Sequence, residues 1–185
     1  MKRIFVISAC ILCLFFLSGC FVRNYQAQMV LQEAELAYIT DGDTIGIKES
    51  DGNVIAVRLI GIDAPESVAP ESYTEKTGIE NSEYGGMSAE HLKELLDGVH
   101  YVYLEYDQER VDSYDRILAY VYLDKGGDFT EMVNVKMLSD GYATTMEIEP
   151  NTKYAEDFRE VEKYAKDNDI GLWAYDDYAS SPNQY

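Results

Sequence analysis

The sequence predicts an α+β fold, a small antiparallel β-barrel of five strands that carries three α-helices. Three observations lead there. Five stretches are rich in β-branched and aromatic residues, and most precede the helical periodicity. An Asp51-Gly52 turn joins two of them, and three other stretches carry helix periodicity and end signals.

The strand signals are Glu35–Thr40, Thr44–Glu49 and Val54–Ile62, then "HYVYLEY" from His100 and "RILAYVYL" from Arg116. Gly52 supplies the positive φ that a tight hairpin needs. Ser67 to Gly86 is rich in Glu, Ser, Thr and Gly with no apolar period, and reads as a long exposed loop of the kind that is usually functional or disordered. "SAEHLKELLDG" then predicts an amphipathic helix with Ser88 as N-cap, Leu92, Leu95 and Leu96 on one face, and Gly98 as the stop. Phe129–Leu138 reads as a second helix that ends before Gly141, and Tyr154–Asn168 as a third, with Tyr154, Phe158, Val161 and Ala165 on one face. Tyr101, Tyr103, Tyr106, Tyr120 and Tyr122 fall on strand signals. In a small barrel such tyrosines more often fill the core or an interface than form a stacking platform.

Lys2 and Arg3 precede an apolar run from Ile4 to Leu17 that closes with Leu17-Ser18-Gly19-Cys20. The run is too short for an ordinary membrane span and reads as an export signal. "LSGC" resembles the bacterial lipobox, in which the cysteine is lipidated and becomes the new N-terminus. The expected organisation is a lipoprotein signal peptide over 1–20 with Cys20 as the lipidation site, a tether over 21–34, the folded domain over 35–173 and a flexible tail over 174–185. The protein is expected at the cell membrane on its extracytoplasmic side, or secreted if the anchor is cut. Cys10 and Cys13 leave with the signal, so the mature chain has no free thiol for disulfides, zinc or nucleophilic catalysis. Without Lys2 and Arg3, 13 basic residues face 34 acidic ones, a formal charge of −21. That balance repels polyanions in general and attracts divalent cations, so a nucleic-acid ligand would need a local site rather than a broad basic face.

One stretch breaks the strand pattern. In "VIAVRLIGI", Arg58 shares a face with Val54, Ala56 and Ile60, and the opposite face is apolar too. In "RILAYVYL", Arg116 shares a face with Leu118, Tyr120 and Tyr122. A partly buried guanidinium demands carboxylate or phosphate partners. Asp43, Asp63 and Glu66 could satisfy both arginines in a plain salt-bridge network. Yet three carboxylates converging at strand ends repel one another, and a hard divalent cation, calcium or magnesium, relieves that repulsion. An EF-hand is excluded: counted from Asp41, the fifth and twelfth positions are Ile45 and Gly52. One hard cation, two arginines and a spare carboxylate suit phosphodiester hydrolysis, which needs equatorial charge neutralised and a proton taken from water.

"DGDT" at Asp41–Thr44, "VRLIGIDAPE" at Val57–Glu66, "YDRILAYVY" at Tyr114–Tyr122 and "PNTKYAEDFREVEKYAKDNDIGLW" at Pro150–Trp173 together resemble the thermonuclease, or staphylococcal nuclease-like, family. The resemblance implies an OB-fold barrel with three helices and a calcium-dependent nuclease that cleaves DNA and RNA and leaves 3′-phosphate ends. The protein is expected to be a monomer. By that resemblance Asp43 and Asp63 ligate Ca2+ through carboxylates and Ala64 through its carbonyl, Glu66 is the general base, and Arg58 and Arg116 bind phosphate and stabilise the transition state. Tyr114 would hydrogen-bond a terminal phosphate. The departures surround these residues: where the family often has a lysine and then Tyr-Gly, this chain has Ser113, Tyr114 and Asp115. Glu147 and Glu149 stand near positions where the family commonly offers tyrosines for base stacking. The competing expectation is a non-catalytic calcium-binding surface lipoprotein that contacts a protein or envelope partner through the same barrel.

Overall fold

The computed structural model describes residues 31–49, 51–66 and 83–182. The export signal, Cys20, most of the tether and most of the Ser67–Gly86 loop lie outside the described residues.

Strands β1 (Gln32–Ile39), β2 (Thr44–Lys48), β3 (Val54–Leu59), β5 (Tyr101–Glu105) and β6 (Ile117–Tyr122) close into a barrel in the order β1-β2-β3-β6-β5. A two-stranded ribbon, β4 (Ile62–Asp63) with β7 (Thr144–Thr145), stands beside it. The five expected strands and the OB-type barrel are present, but the barrel is mixed, because β3 and β6 run parallel. A closed ring with an odd number of strands cannot alternate direction throughout, so one neighbouring pair must be parallel. Alternation sends Ile45, Val57, Leu59, Val102, Leu104 and Val121 inward, where all are buried. Each such side chain is worth roughly 1.5–3 kcal/mol relative to exposure. The expected Asp51-Gly52 turn joins β2 to β3, with Gly52 at φ 89°.

The described residues form four α-helices, α1 (Glu83–Leu95), α2 (Val133–Ser139), α3 (Ala155–Asp167) and α4 (Asp176–Ser180), with short 3-10 turns at Phe129–Glu131 and Gly171–Ala174. Asn134 of α2 is buried and ties the helix to the barrel. Its Oδ1 accepts from Val121 N at 3.0 Å, and its Nδ2 donates to the Ile60 carbonyl at 2.8 Å.

Five boundaries differ from the sequence reading. The strand expected over Val54–Ile62 ends at Leu59, and Ile62–Asp63 pair outside the barrel as β4. The barrel begins at Gln32, inside the expected tether, because Gln32 to Glu35 pair with β5 although only Ala34 points inward. Helix α1 starts at Glu83 instead of at an N-cap Ser88. Ser88 is buried within it and donates its hydroxyl to the Tyr142 carbonyl at 2.7 Å. Gly85 and Gly86 lower the local helix propensity, and ring packing of Tyr84 on Tyr175 and Tyr178 overrides it. The second expected helix divides into the 3-10 turn and α2, with Met132 in extended conformation between them. Within the tail after Trp173, expected to fray, Asp176–Ser180 form α4, whose Tyr178 is fully buried against Trp173 and Tyr84.

The strand tyrosines share the barrel's outer face and divide by what covers it. Tyr120 and Tyr122 are buried, with hydroxyls donating to Asp107 at 3.0 Å and Glu105 at 2.7 Å, whereas Tyr101 is exposed.

Candidate active site

The loop between β1 and β2 brings the first acids to the barrel's mouth. Asp41 Oδ1 accepts from the Asp43 N–H at 3.1 Å, which shapes the turn. Gly42 lies so close to the next segment that a Cβ there would stand 2.6 Å from that of Ala64 and 2.8 Å from that of Ser88. Only glycine allows this approach, and it delivers Asp43 into the buried side. The Asp43 carbonyl accepts from Leu59 N at 2.9 Å, so the acidic turn is stitched to the end of β3.

Arg58 sits opposite Thr44 in the β2–β3 register. Its Nη1 donates to the carbonyls of Leu59 at 3.1 Å and Ile62 at 2.8 Å, which fixes the guanidinium plane. Its Nη2 lies 3.0 Å from Asp43 Oδ2 and 2.9 Å from Asp63 Oδ1. Ala64, expected to offer its carbonyl to a cation, donates its own N–H to Asp43 Oδ2 at 2.9 Å. Asp63 is held from behind by the β4–β7 ribbon: Thr144 pairs with it, and the Thr144 hydroxyl donates to the Asp63 carbonyl at 3.3 Å. Thr145 in turn donates to Glu162 of α3 at 2.6 Å.

Arg116 does not join Asp43, Asp63 or Glu66, the partners offered by the sequence. Its Nε donates to Asp112 Oδ2 at 2.7 Å, while Asp112 Oδ1 accepts from the backbone N–H of Tyr114 at 2.9 Å and of Arg116 at 3.0 Å. Burial alone would raise the Asp112 carboxyl, but these N–H groups and the guanidinium charge hold it below its ordinary value. The terminal nitrogens of Arg116 bond to no described residue. Arg58 and Arg116 line one cavity of about 420 Å³, together with Tyr114, Met146, Ile148 and Asn151. Tyr114 is 78% exposed at its rim, its ring centre 5.5 Å from the Arg116 guanidinium carbon.

The acids feel one another. Burial raises Glu66, and the charges of Asp43 and Asp63 raise it further, against the pull of Arg58 and Arg116. Asp63 is raised by burial and by Asp43, with Arg58 opposing. Asp41 is pushed up to about 7, first by burial and then by Asp43 and Glu66. Four carboxylates therefore share one region with a single paired arginine, and their donors are all oxygen. That set fits a hard cation. As arranged, Asp43 and Asp63 are turned onto Arg58, and no group of three His, Cys, Asp or Glu side chains is gathered for a metal among the described residues.

Sequence reasoning thus named Asp43, Arg58, Asp63, Ala64 and Glu66, which meet here, and Arg116 with Tyr114, which face the same cavity from β6. It missed Asp112, although an aspartate four residues before Arg116 was a usable signal. It also missed Asp41, which feels the charges of Asp43 and Glu66, and Met146 and Ile148, which alternate with Glu147 and Glu149 and line the cavity. No local pattern marks Thr145 or Glu162, which meet only through the tertiary fold.

A family model for the staphylococcal nuclease homologue matches residues 56–175, more than half of the chain. The chain is 38% identical to a thermonuclease of Staphylococcus intermedius over 135 residues, covering 73% of this chain and 72% of that one. It is 35% identical to a thermonuclease of Staphylococcus hyicus over 143 residues, covering 77% and 76%. Endonuclease YncB of Bacillus subtilis (strain 168) is 33% identical over 156 residues, covering 83% of this chain and 67% of its own. The matched residues contain Arg58, Asp63, Glu66 and Arg116, and the chain belongs to the staphylococcal nuclease homologue family.

Proposed function

We propose that this protein is a calcium-dependent nuclease, exported and lipid-anchored at Cys20 on the extracytoplasmic side of the membrane, that hydrolyses phosphodiester bonds of DNA and RNA to leave 3′-phosphate ends. Kinship with thermonucleases and endonucleases supports a hydrolytic nuclease. The observation that carries the reading is the convergence of Arg58 and Arg116 on one cavity beside Asp43, Asp63 and Glu66. We take a monomer as the working unit.

Each residue has a task that follows from its setting. Arg116 is braced through Nε by Asp112, so its terminal nitrogens are aimed outward and suited to two oxygens of one phosphate. Arg58 is pinned by two carbonyls and offers a second cationic edge. Together they would neutralise the charge that builds on the equatorial oxygens in the transition state. Glu66 has a carboxyl raised by burial and by its acidic neighbours, which makes it a better proton acceptor for an attacking water than an ordinary glutamate. Asp43, Asp63 and the Ala64 carbonyl are the groups that would hold Ca2+, and the bound cation would supply further charge neutralisation at the phosphate. In a chain of such net negative charge, this local cluster is where a nucleic acid can be met by positive charge.

The test is cleavage of single-stranded and duplex DNA by the chain from Phe21 onward, with calcium and then with EDTA, alongside Arg116→Ala. Calcium-dependent cleavage, lowered at least about 10²-fold in Arg116→Ala with calcium binding retained, is expected. Cleavage at the wild-type rate in Arg116→Ala would contradict the role given to it. Calcium binding without cleavage in the wild type would instead favour the binding module. For the anchor, Cys20→Ser should release the protein from membranes, and unchanged membrane fractionation would count against lipidation.

A further inference from the structure

Met146 lies against Arg58. Its sulfur is 3.8 Å from Arg58 Nη2, the nitrogen that also meets Asp43 and Asp63. The residue is held there by its backbone N–H, which donates to the Gly61 carbonyl at 3.0 Å, and it forms part of the cavity wall with Ile148 and Tyr114. It is 39% exposed, whereas Met132 and Met137 are fully buried and Met87 is half-buried. A solvent-borne oxidant therefore reaches Met146 first among the described methionines.

We propose that Met146 is a modification site whose oxidation by a hydroperoxide turns the nuclease down by engaging Arg58. The inference rests on the nuclease reading. The step is an oxygen transfer: an S–O bond forms as the peroxide O–O bond breaks, the sulfur is oxidised by two electrons, and hydrogen peroxide leaves as water. A thioether is a weak hydrogen-bond acceptor, and its 3.8 Å separation makes at most a soft contact with Arg58. A sulfoxide oxygen is a strong, polar acceptor. Placed on this sulfur toward Nη2, it closes the gap to ordinary hydrogen-bond range. It then competes with a substrate phosphate for the same N–H, and it makes polar a wall that is now apolar. An enzymatic reduction of the sulfoxide would restore the site.

The experiment treats the chain from Phe21 onward, which contains every described residue, with dilute hydrogen peroxide. Peptide mass mapping follows oxygen uptake at Met146, while kcat/KM is measured on a single-stranded oligonucleotide. Binding of the same oligonucleotide in EDTA, by fluorescence anisotropy, is a second readout independent of turnover. We expect kcat/KM to fall at least tenfold in step with Met146 oxidation, and to recover with a methionine sulfoxide reductase. Met146→Leu should keep its own untreated rate through the same treatment, whatever that rate is. Complete oxidation of Met146 with unchanged kcat/KM, or an equal loss in Met146→Leu, overturns the proposal. An untreated wild type that neither cleaves nor binds the oligonucleotide overturns the nuclease reading itself, and this inference with it.

Discussion

Asp112→Asn isolates the brace behind Arg116 from the charge it carries. Asp112 takes the Arg116 Nε proton at 2.7 Å with one oxygen and two backbone N–H groups, at 2.9 and 3.0 Å, with the other. Asparagine keeps an oxygen for the two backbone donors, so the turn that carries Tyr114 survives. Its amide nitrogen then faces Nε–H, donor against donor, and the charge-assisted bond is lost. Such bonds are worth about 1.5–3 kcal/mol. If that energy holds the guanidinium in place for the transition state, kcat/KM falls about 10- to 100-fold. One effect opposes this: removing a negative charge near the phosphate favours a polyanion, by about 1 kcal/mol at 4 Å in a water-like medium. Positioning therefore outweighs repulsion, and the net loss should appear mainly in kcat. The assay is steady-state cleavage of a short single-stranded oligonucleotide with calcium, with thermal unfolding to show that the fold is kept. Wild-type kcat/KM in a folded Asp112→Asn protein would refute the positioning argument.

Other perturbations read other parts of the molecule. Because Asp41 is raised from 3.8 to about 7, the cation-free folded state keeps a proton that the unfolded chain releases. Its contribution is complete below 3.8 and is lost as pH rises to about 7, by at most about 1.4 kcal/mol per pH unit. Asp41→Asn should flatten the pH dependence of thermal unfolding across that window when calcium is chelated, and an unchanged slope would contradict the coupling. Thr145→Val removes the 2.6 Å bond to Glu162 and should weaken calcium binding through Asp63, with a stability cost of about 1–3 kcal/mol. Thr145→Ser should retain both, as calorimetry with calcium can check. Tyr178→Ala empties a fully buried ring site and should cost about 3–5 kcal/mol in urea unfolding. A loss below 1 kcal/mol would mean that α4 does not belong to the cooperative unit.

Much of this molecule is legible from local pattern. Alternation placed β2, β3, β5 and β6, because their inward residues meet a single core, and the Asp51-Gly52 turn needed only a φ preference to be recognised. The two arginines stood out because a strand that is apolar on both faces has no solvent to give a guanidinium. What stayed hidden depends on partners far along the chain. Ser88 reads as an N-cap until Tyr142 is seen to take its hydroxyl, and the Gly85-Gly86 pair reads as loop until Tyr84 is seen to pack on α4. The polar start of β1 reads as tether because its ladder with β5 is made by backbone, which no side-chain pattern reports. The parallel β3–β6 contact follows from counting strands in a closed ring, a global constraint that no single segment carries.

The direction of β1 has a consequence for where the chemistry would take place. The strand enters the barrel at Gln32 and ends at Ile39, one residue short of the turn that carries Asp41 and Asp43. At 3.3 Å per residue, its entry point lies about 23 Å along the strand from that end. A chain leashed at Cys20, as proposed, would join its barrel at Gln32, whose side-chain oxygen accepts from the Tyr106 hydroxyl at 3.0 Å. The acidic turn with Asp41 and Asp43 would then stand one strand length beyond the point of attachment, like a lamp on a short post. An anionic lipid surface and the acidic barrel would keep each other at a distance.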